Sequence, residues 1–203
     1  MISNTHIASA FDRDLETIQG LIMKMGGMVE EAIENASTAL LDSDLDLANA
    51  TRRGDKAIDA LELRVNEEAA RLIALRQPIA TDLRTVLSVF RISAALERVG
   101  DYAKNIAKRT KILQELHPVE GGTASLKRMS KAVQTMLKDA LDAYIQRDSA
   151  LAYDVRARDE EVDQMYNGLF REYLTHMMEN PRNITACMHL HFMAKNIERM
   201  GDL

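Results

Sequence analysis

Along residues 79–113, apolar side chains recur at alternating three- and four-residue steps: Val86, Val89, Leu96, Ala103 and Ile106 form one seam. That is the period of a helix with one face packed against a core. Beside it runs a second stripe, Leu83, Leu87, Phe90 and Ala94, which turns acidic at Glu97 and Asp101. The same period elsewhere predicts helices from about residue 10 to 41, 44 to 75 and 79 to 113. After His117-Pro118-Val119-Glu120-Gly121-Gly122, which combines a proline and two glycines, three more follow. Their expected spans are 123 to 146, 148 to 178 and 181 to beyond 203. Asp44 and Asp148 are placed as N-caps, where a carboxylate oxygen accepts an otherwise orphaned backbone N–H. Pro78 and Pro181 mark helix–helix junctions, because proline suits a helix start and not its interior.

The pattern is duplicated. Glu97-Arg98-Val99-Gly100-Asp101 returns as Glu198-Arg199-Met200-Gly201-Asp202, 101 positions later. Asp55-Lys56-Ala57-Ile58-Asp59 returns as Asp159-Glu160-Glu161-Val162-Asp163, 104 positions later. A net three-residue deletion therefore separates the middle and last helices of the second copy. Long helices joined by short turns pack antiparallel. The chain is expected to be all-α, two tandem antiparallel three-helix bundles related by internal duplication, divided as residues 1–116 and 117–203.

Composition narrows the function. The chain has 203 residues, a formal charge of −5 with well mixed signs, no Trp and one Cys. No nucleic-acid footprint is visible, and a single Cys excludes a disulfide framework and a Cys-rich zinc site. No basic region followed by an apolar stretch opens the chain, and no apolar run approaches the roughly 18 residues of a membrane span. The composition fits a soluble protein of a reducing compartment.

Candidate chemistry lies in the acids. Asp55/Asp59, Glu97/Asp101, Asp159/Asp163 and Glu198/Asp202 are each four apart and share a helix face, with Cβ atoms about 5–6 Å apart. Each expected bundle carries one pair on its middle helix and one on its last. Antiparallel packing can bring them together as four carboxylates, a ligand set suited to hard divalent or trivalent cations. Other acid pairs, Glu30/Glu34 and Asp42/Asp46, have the same spacing outside the duplicated positions, so spacing alone does not distinguish a ligand set from a solvated face. What distinguishes the four is repetition in register with an Arg and a Gly between the acids. Gly100 and Gly201 each cost about 1 kcal/mol relative to Ala in a helix interior, which suggests close helix approach or ligand access. Arg98 and Arg199 either neutralise the acids or face solvent as ordinary partners, with support of the acids favoured over catalysis. His189 and His191, two apart, do not face one another and are expected to be packing or surface residues. The Ala-Lys-Asn-Ile string at 103–106 and 194–197 is out of register with the repeat, at an offset of 91, and is set aside. No Glu-x-x-His pattern, P-loop, Rossmann fingerprint or nucleophile–base arrangement is present.

The residues together resemble the PhoU family of phosphate-signalling proteins over nearly the whole chain. The resemblance is carried by Phe11-Asp12-Arg13-Asp14-Leu15, Gly54-Asp55-Lys56-Ala57-Ile58-Asp59, Gln77-Pro78-Ile79-Ala80-Thr81-Asp82-Leu83-Arg84 and, most specifically, Leu96-Glu97-Arg98-Val99-Gly100-Asp101-Tyr102-Ala103-Lys104-Asn105-Ile106-Ala107. It implies a cytoplasmic, non-enzymatic negative regulator of the bacterial phosphate-starvation response. Such a regulator links a phosphate-importing ABC transporter, through its ATPase subunit, to a membrane sensor histidine kinase. It further implies a homodimer, and multinuclear metal on the acidic motifs, iron favoured, with zinc, manganese or magnesium as alternatives. Ligand candidacy passes to Asp55, Asp59, Glu97, Asp101, Asp159, Asp163, Glu198 and Asp202, with Asn105 in the extended first motif. In the family the last helix continues for several turns past the position of Asp202. Here Asp202 lies in a terminal turn, so the second site is expected to bind metal more weakly than the first. Two other function classes fit a carboxylate bundle: a metalloenzyme for phosphoryl or redox chemistry, and a metal-storage protein.

Overall fold

Six helices carry the chain, with no strand among the described residues. They are α1 (Ile2–Asp42), α2 (Leu45–Arg76), α3 (Ala80–Gln114), α4 (Ala124–Gln146), α5 (Ser149–Glu179) and α6 (Ile184–Gly201). The computed structural model describes residues 2–119 and 121–203, with side chains from Ala10 onward. α1 begins at Ile2, eight residues before the expected start. The stretch ahead of Phe11 holds neither Pro nor Gly, so nothing in it stops a helix. Pro181–Asn183 forms a 3-10 turn of its own ahead of α6, where one continuous helix was expected. Asn180 caps that turn, its side-chain oxygen accepting from the Arg182 N–H at 3.1 Å.

The duplication is visible atom by atom at the first turn of each copy. Ser43 and Arg147 both take the left-handed conformation, at φ 53° and 55°. Directly after them, the Asp44 N–H donates to the Ala39 carbonyl and the Asp148 N–H to the Ala143 carbonyl, each at 2.9 Å. This is a Schellman closure that satisfies a helix C-terminus. Asp44 and Asp148 then start the next helix: Asp44 accepts from the Leu47 N–H at 2.9 Å, and Asp148 from Ala150 and Leu151 at 2.9 and 3.0 Å. One residue thus ends one helix and caps the next, which keeps each turn tight and the helices antiparallel.

Packing joins the two bundles side by side. α1 lies against α4 and α3 against α6, in addition to the contacts within each bundle. One hydrophobic cluster runs through both, from Ile22, Val29 and Ile33 of α1 to Met129, Met193 and Ile197 of the second copy. At the α1–α4 crossing a Cβ on Gly26 would stand 2.3 Å from Leu141 Cδ1, so glycine is what admits the approach. Gln134 Nε2 donates across the same joint to the Glu30 carbonyl at 3.1 Å. The connection between α3 and α4 turns at Gly121, φ 76°, and is anchored by the buried Tyr173, whose hydroxyl donates to the Gly122 carbonyl at 2.7 Å. Beside the end of α6 is an apolar cavity of about 170 Å³, lined by Leu137, Leu141, Tyr144, Val155, Met200 and Leu203 among others.

Candidate metal centre

The four acids of each copy lie near enough to one another to shift each other's protonation, without converging in ligating geometry among the described residues. In the first copy, α2 carries Asp55 and Asp59 and α3 carries Glu97 and Asp101, on facing surfaces of the two helices. Asp55 is buried at 5% exposure and Asp59 lies at the open rim. Gly100 makes the approach possible: a Cβ there would stand 3.1 Å from Ile58 Cδ1 and 3.8 Å from Asp55 Oδ1. In the second copy a Cβ on Gly201 would stand 2.8 Å from Asp159 Oδ1. Each glycine of the pentad thus leaves room at a close helix approach, for Ile58 in the first copy, with Asp55 Oδ1 at ordinary contact distance, and for Asp159 in the second.

The copies differ in which acid is deepest. Asp55 of α2 is buried in the first, whereas Asp159 is only half-buried in the second. There the buried acid is Glu198 of α6, at 8% exposure, and Asp202 is exposed. Glu198 is thus sunk among the buried residues of α6. Among the described residues, three carboxylate oxygens are buried without a hydrogen-bond partner: Asp55 Oδ1, Asp159 Oδ1 and Glu198 Oε2. Leaving such an atom unpaired away from water is costly.

The cations beside the acids are lysines, and this corrects the sequence reading twice. Arg98 and Arg199 are exposed, and among the described residues neither pairs with an acid. Lys104 Nζ donates to Asp55 Oδ2 at 2.5 Å and to Asp101 Oδ1 at 2.8 Å, tying α2 to α3. Lys195 Nζ donates to Glu198 Oε1 at 2.5 Å and stands 5.1 Å from the Tyr166 ring centroid. Both are the lysine of Ala-Lys-Asn-Ile, the string set aside for being out of register. Its offset made it look irrelevant, yet Lys104 follows Asp101 by three residues and Lys195 precedes Glu198 by three. That i,i+3 spacing was the available signal. The two histidines of α6 are partly buried packing residues. His189 Nδ1 lies 3.2 Å from Arg109 Nη1, joining α6 to α3, and His191 stacks on Tyr166.

Mutual proximity of the acids shows in their proton affinities. Asp59 is pushed above the ordinary carboxylate value first by partial burial, then by Asp55 and Asp101, with Lys104 opposing. Glu97 is raised by burial, then by Asp101, Glu62, Asp59 and Asp55. Asp159 is raised by burial, then by Asp163, Asp202 and Glu198. A carboxyl raised in the folded state stabilises the fold fully below its unfolded value, 3.8 for Asp and 4.5 for Glu. That contribution is lost as pH rises through the folded value. These groups should therefore make the metal-free chain lose stability as pH rises from those unfolded values through the folded ones. Urea titrations across that rise, in chelator, check this. Asp59→Asn, Glu97→Gln and Asp159→Asn together should flatten the slope.

Comparison with known proteins decides the family. The family model described as the PhoU domain matches residues 22–110 and again 126–203. The chain belongs to the PhoU family. A phosphate-specific transport system accessory protein PhoU homolog from Caulobacter vibrioides is 47% identical over 197 residues, covering 97% of this chain and 86% of that one. The crystal structure of PhoU from Pseudomonas aeruginosa superposes with a TM-score of 0.91 at 36% identity, over 95% of this chain and 92% of that one. The phosphate transport system regulatory protein PhoU from Streptococcus pneumoniae gives 0.80 at 29% identity, over 94% and 93%.

The PhoU quartets have the donor chemistry for a hard cation: carboxylate oxygens only, three of them buried and unpartnered. In this conformation, among the described residues, no three His, Cys, Asp or Glu side chains already converge in ligating geometry. In the first quartet Lys104 stands between two of the acids instead. Among the described residues no PhoU helix here is long and apolar enough to cross a membrane.

Proposed function

We propose that this chain is an accessory protein of phosphate transport that acts as a negative regulator of the phosphate-starvation regulon. It would work in the cytoplasm, without catalysis of its own. The observation that carries the reading is the near full-length match to PhoU proteins whose names place them in the phosphate-specific transport system. Its partners would be the ATPase subunit of the phosphate ABC transporter and the regulon's sensor histidine kinase, with a second copy forming a homodimer. Mechanically, the two bundles share one core and meet along the α1–α4 and α3–α6 joints, through which a change at either quartet would be passed on. Asp55, Asp59, Glu97 and Asp101 would hold metal in the first copy, and Asp159, Asp163, Glu198 and Asp202 in the second. The bound metal, iron favoured, would supply the positive charge that lets facing acids close on one another. Deleting the gene should give high alkaline phosphatase activity in excess phosphate, falling when the gene is restored. Activity that stays repressed in the deletion strain would contradict the regulatory reading.

A further inference from the structure

We propose that Lys104 is a tethered counter-ion of the first quartet, so that a metal ion binding there displaces its ammonium from Asp55 and Asp101 and opens the clasp between α2 and α3. This rests on the metal reading of the quartet and adds the chain's own competitor for the site. The ammonium engages one acid from each helix, at 2.5 and 2.8 Å, and thereby occupies the oxygens that a metal would need. A hard cation takes carboxylate oxygens at about 2.0–2.6 Å. The two positive charges would then stand close enough to repel strongly, so they exclude one another.

A second observation points to a ligand. Asp55 is buried at 5% exposure, and its other oxygen, Oδ1, is buried beside Gly100 with no partner among the described residues. A cation that replaces the ammonium therefore gains an unpartnered oxygen besides the ones the lysine vacates. The lysine also has somewhere to go, since its side chain is 38% exposed. No such clasp spans the second quartet among the described residues. Lys195 pairs with Glu198 on its own helix, and Asp159 Oδ1 is left without a partner. The exchange is thus a property of the first copy, where it couples metal occupancy to the α2–α3 contact and to a lysine newly presented to solvent.

The test uses the full chain, stripped by chelation and titrated with Mn2+ by calorimetry. Asp163→Asn with Asp202→Asn serves as the background that isolates the first quartet. Lys104→Met should tighten Mn2+ binding on the order of tenfold, by removing a positive charge that competes for the same oxygens, and Lys104→Gln should do the same should the Met variant fold poorly. In the wild-type chain, reductive methylation of Lys104, read by peptide mass spectrometry against the exposed Lys24, should accelerate on adding Mn2+. Unchanged or weaker binding in both variants, or Lys104 methylation unaffected at saturating Mn2+, overturns the exchange. In either case the quartet can still be a metal site, and loss of binding on Asp101→Asn would show that it is. Absence of Mn2+ binding in wild type and both Lys104 variants sinks the metal reading and the exchange together.

Discussion

Glu97→Ala combined with Asp101→Ala is expected to strip metal from the first copy while leaving the helices formed. Both acids lie on the α3 face turned toward Asp55 and Asp59, and together they supply half of the first quartet. Loss of a single outer support of a metal site typically costs 10–100-fold in affinity, so loss of two direct ligands should cost at least about 100-fold. The fold has little reason to suffer. Glu97 is half-buried, the Asp101 side chain is 44% exposed, and neither belongs to the hydrophobic core. Alanine is also the best helix former, which offsets part of the lost Lys104–Asp101 pair. Metal per chain by elemental analysis, alongside far-ultraviolet circular dichroism, checks both halves of the expectation. Unchanged metal content would place the site elsewhere, and a collapse of helicity would make these acids structural.

The second large effect is on stability. Ile33 has no exposed surface and sits on α1, the helix that packs against α2, α3 and α4 at once. Ile33→Ala should cost about 2–5 kcal/mol, the range for truncating a buried aliphatic residue that leaves a cavity. For a chain of this size that corresponds to a fall in Tm of roughly 5–20 °C. The duplication supplies the control. The equivalent of Ile33 in the second copy is Leu137, which is only half-buried and already lines the apolar cavity beside α6. Leu137→Ala should therefore cost clearly less. Urea midpoints at an unchanged slope check the pair, and equal losses would contradict the asymmetry between the copies.

The parts of this molecule that were legible in the sequence are those written in local spacing. Helical periodicity placed the seam of α3, and all five of its residues are buried. Asp44 and Asp148 were readable as caps because a cap is a residue type at a defined point of a pattern. That the acid pairs of neighbouring helices lie near one another was readable because acids four apart share a face and antiparallel packing sets one pair beside another. What escaped lies between elements distant in sequence. The α1–α4 joint depends on Gly26 meeting Leu141, and no periodicity within either helix announces which glycine will face which leucine. Lys104 and Lys195 were missed through reliance on the repeat register. The two copies solve the same electrostatic problem with lysines on opposite sides of their acids, so register could not find them. The arginines inside the pentads misled for the converse reason, being fixed in register yet facing solvent.

Whether the first quartet carries the regulatory function is tested by alkaline phosphatase activity, in excess phosphate, of the deletion strain carrying Asp55→Asn, Asp59→Asn, Glu97→Gln and Asp101→Asn in one chain. That variant keeps the size of every side chain and removes their charge. With the protein present at wild-type level and helical, activity should stay high, as in the uncomplemented strain. Repression as complete as the wild-type gene restores would contradict the claim that these acids are the working site.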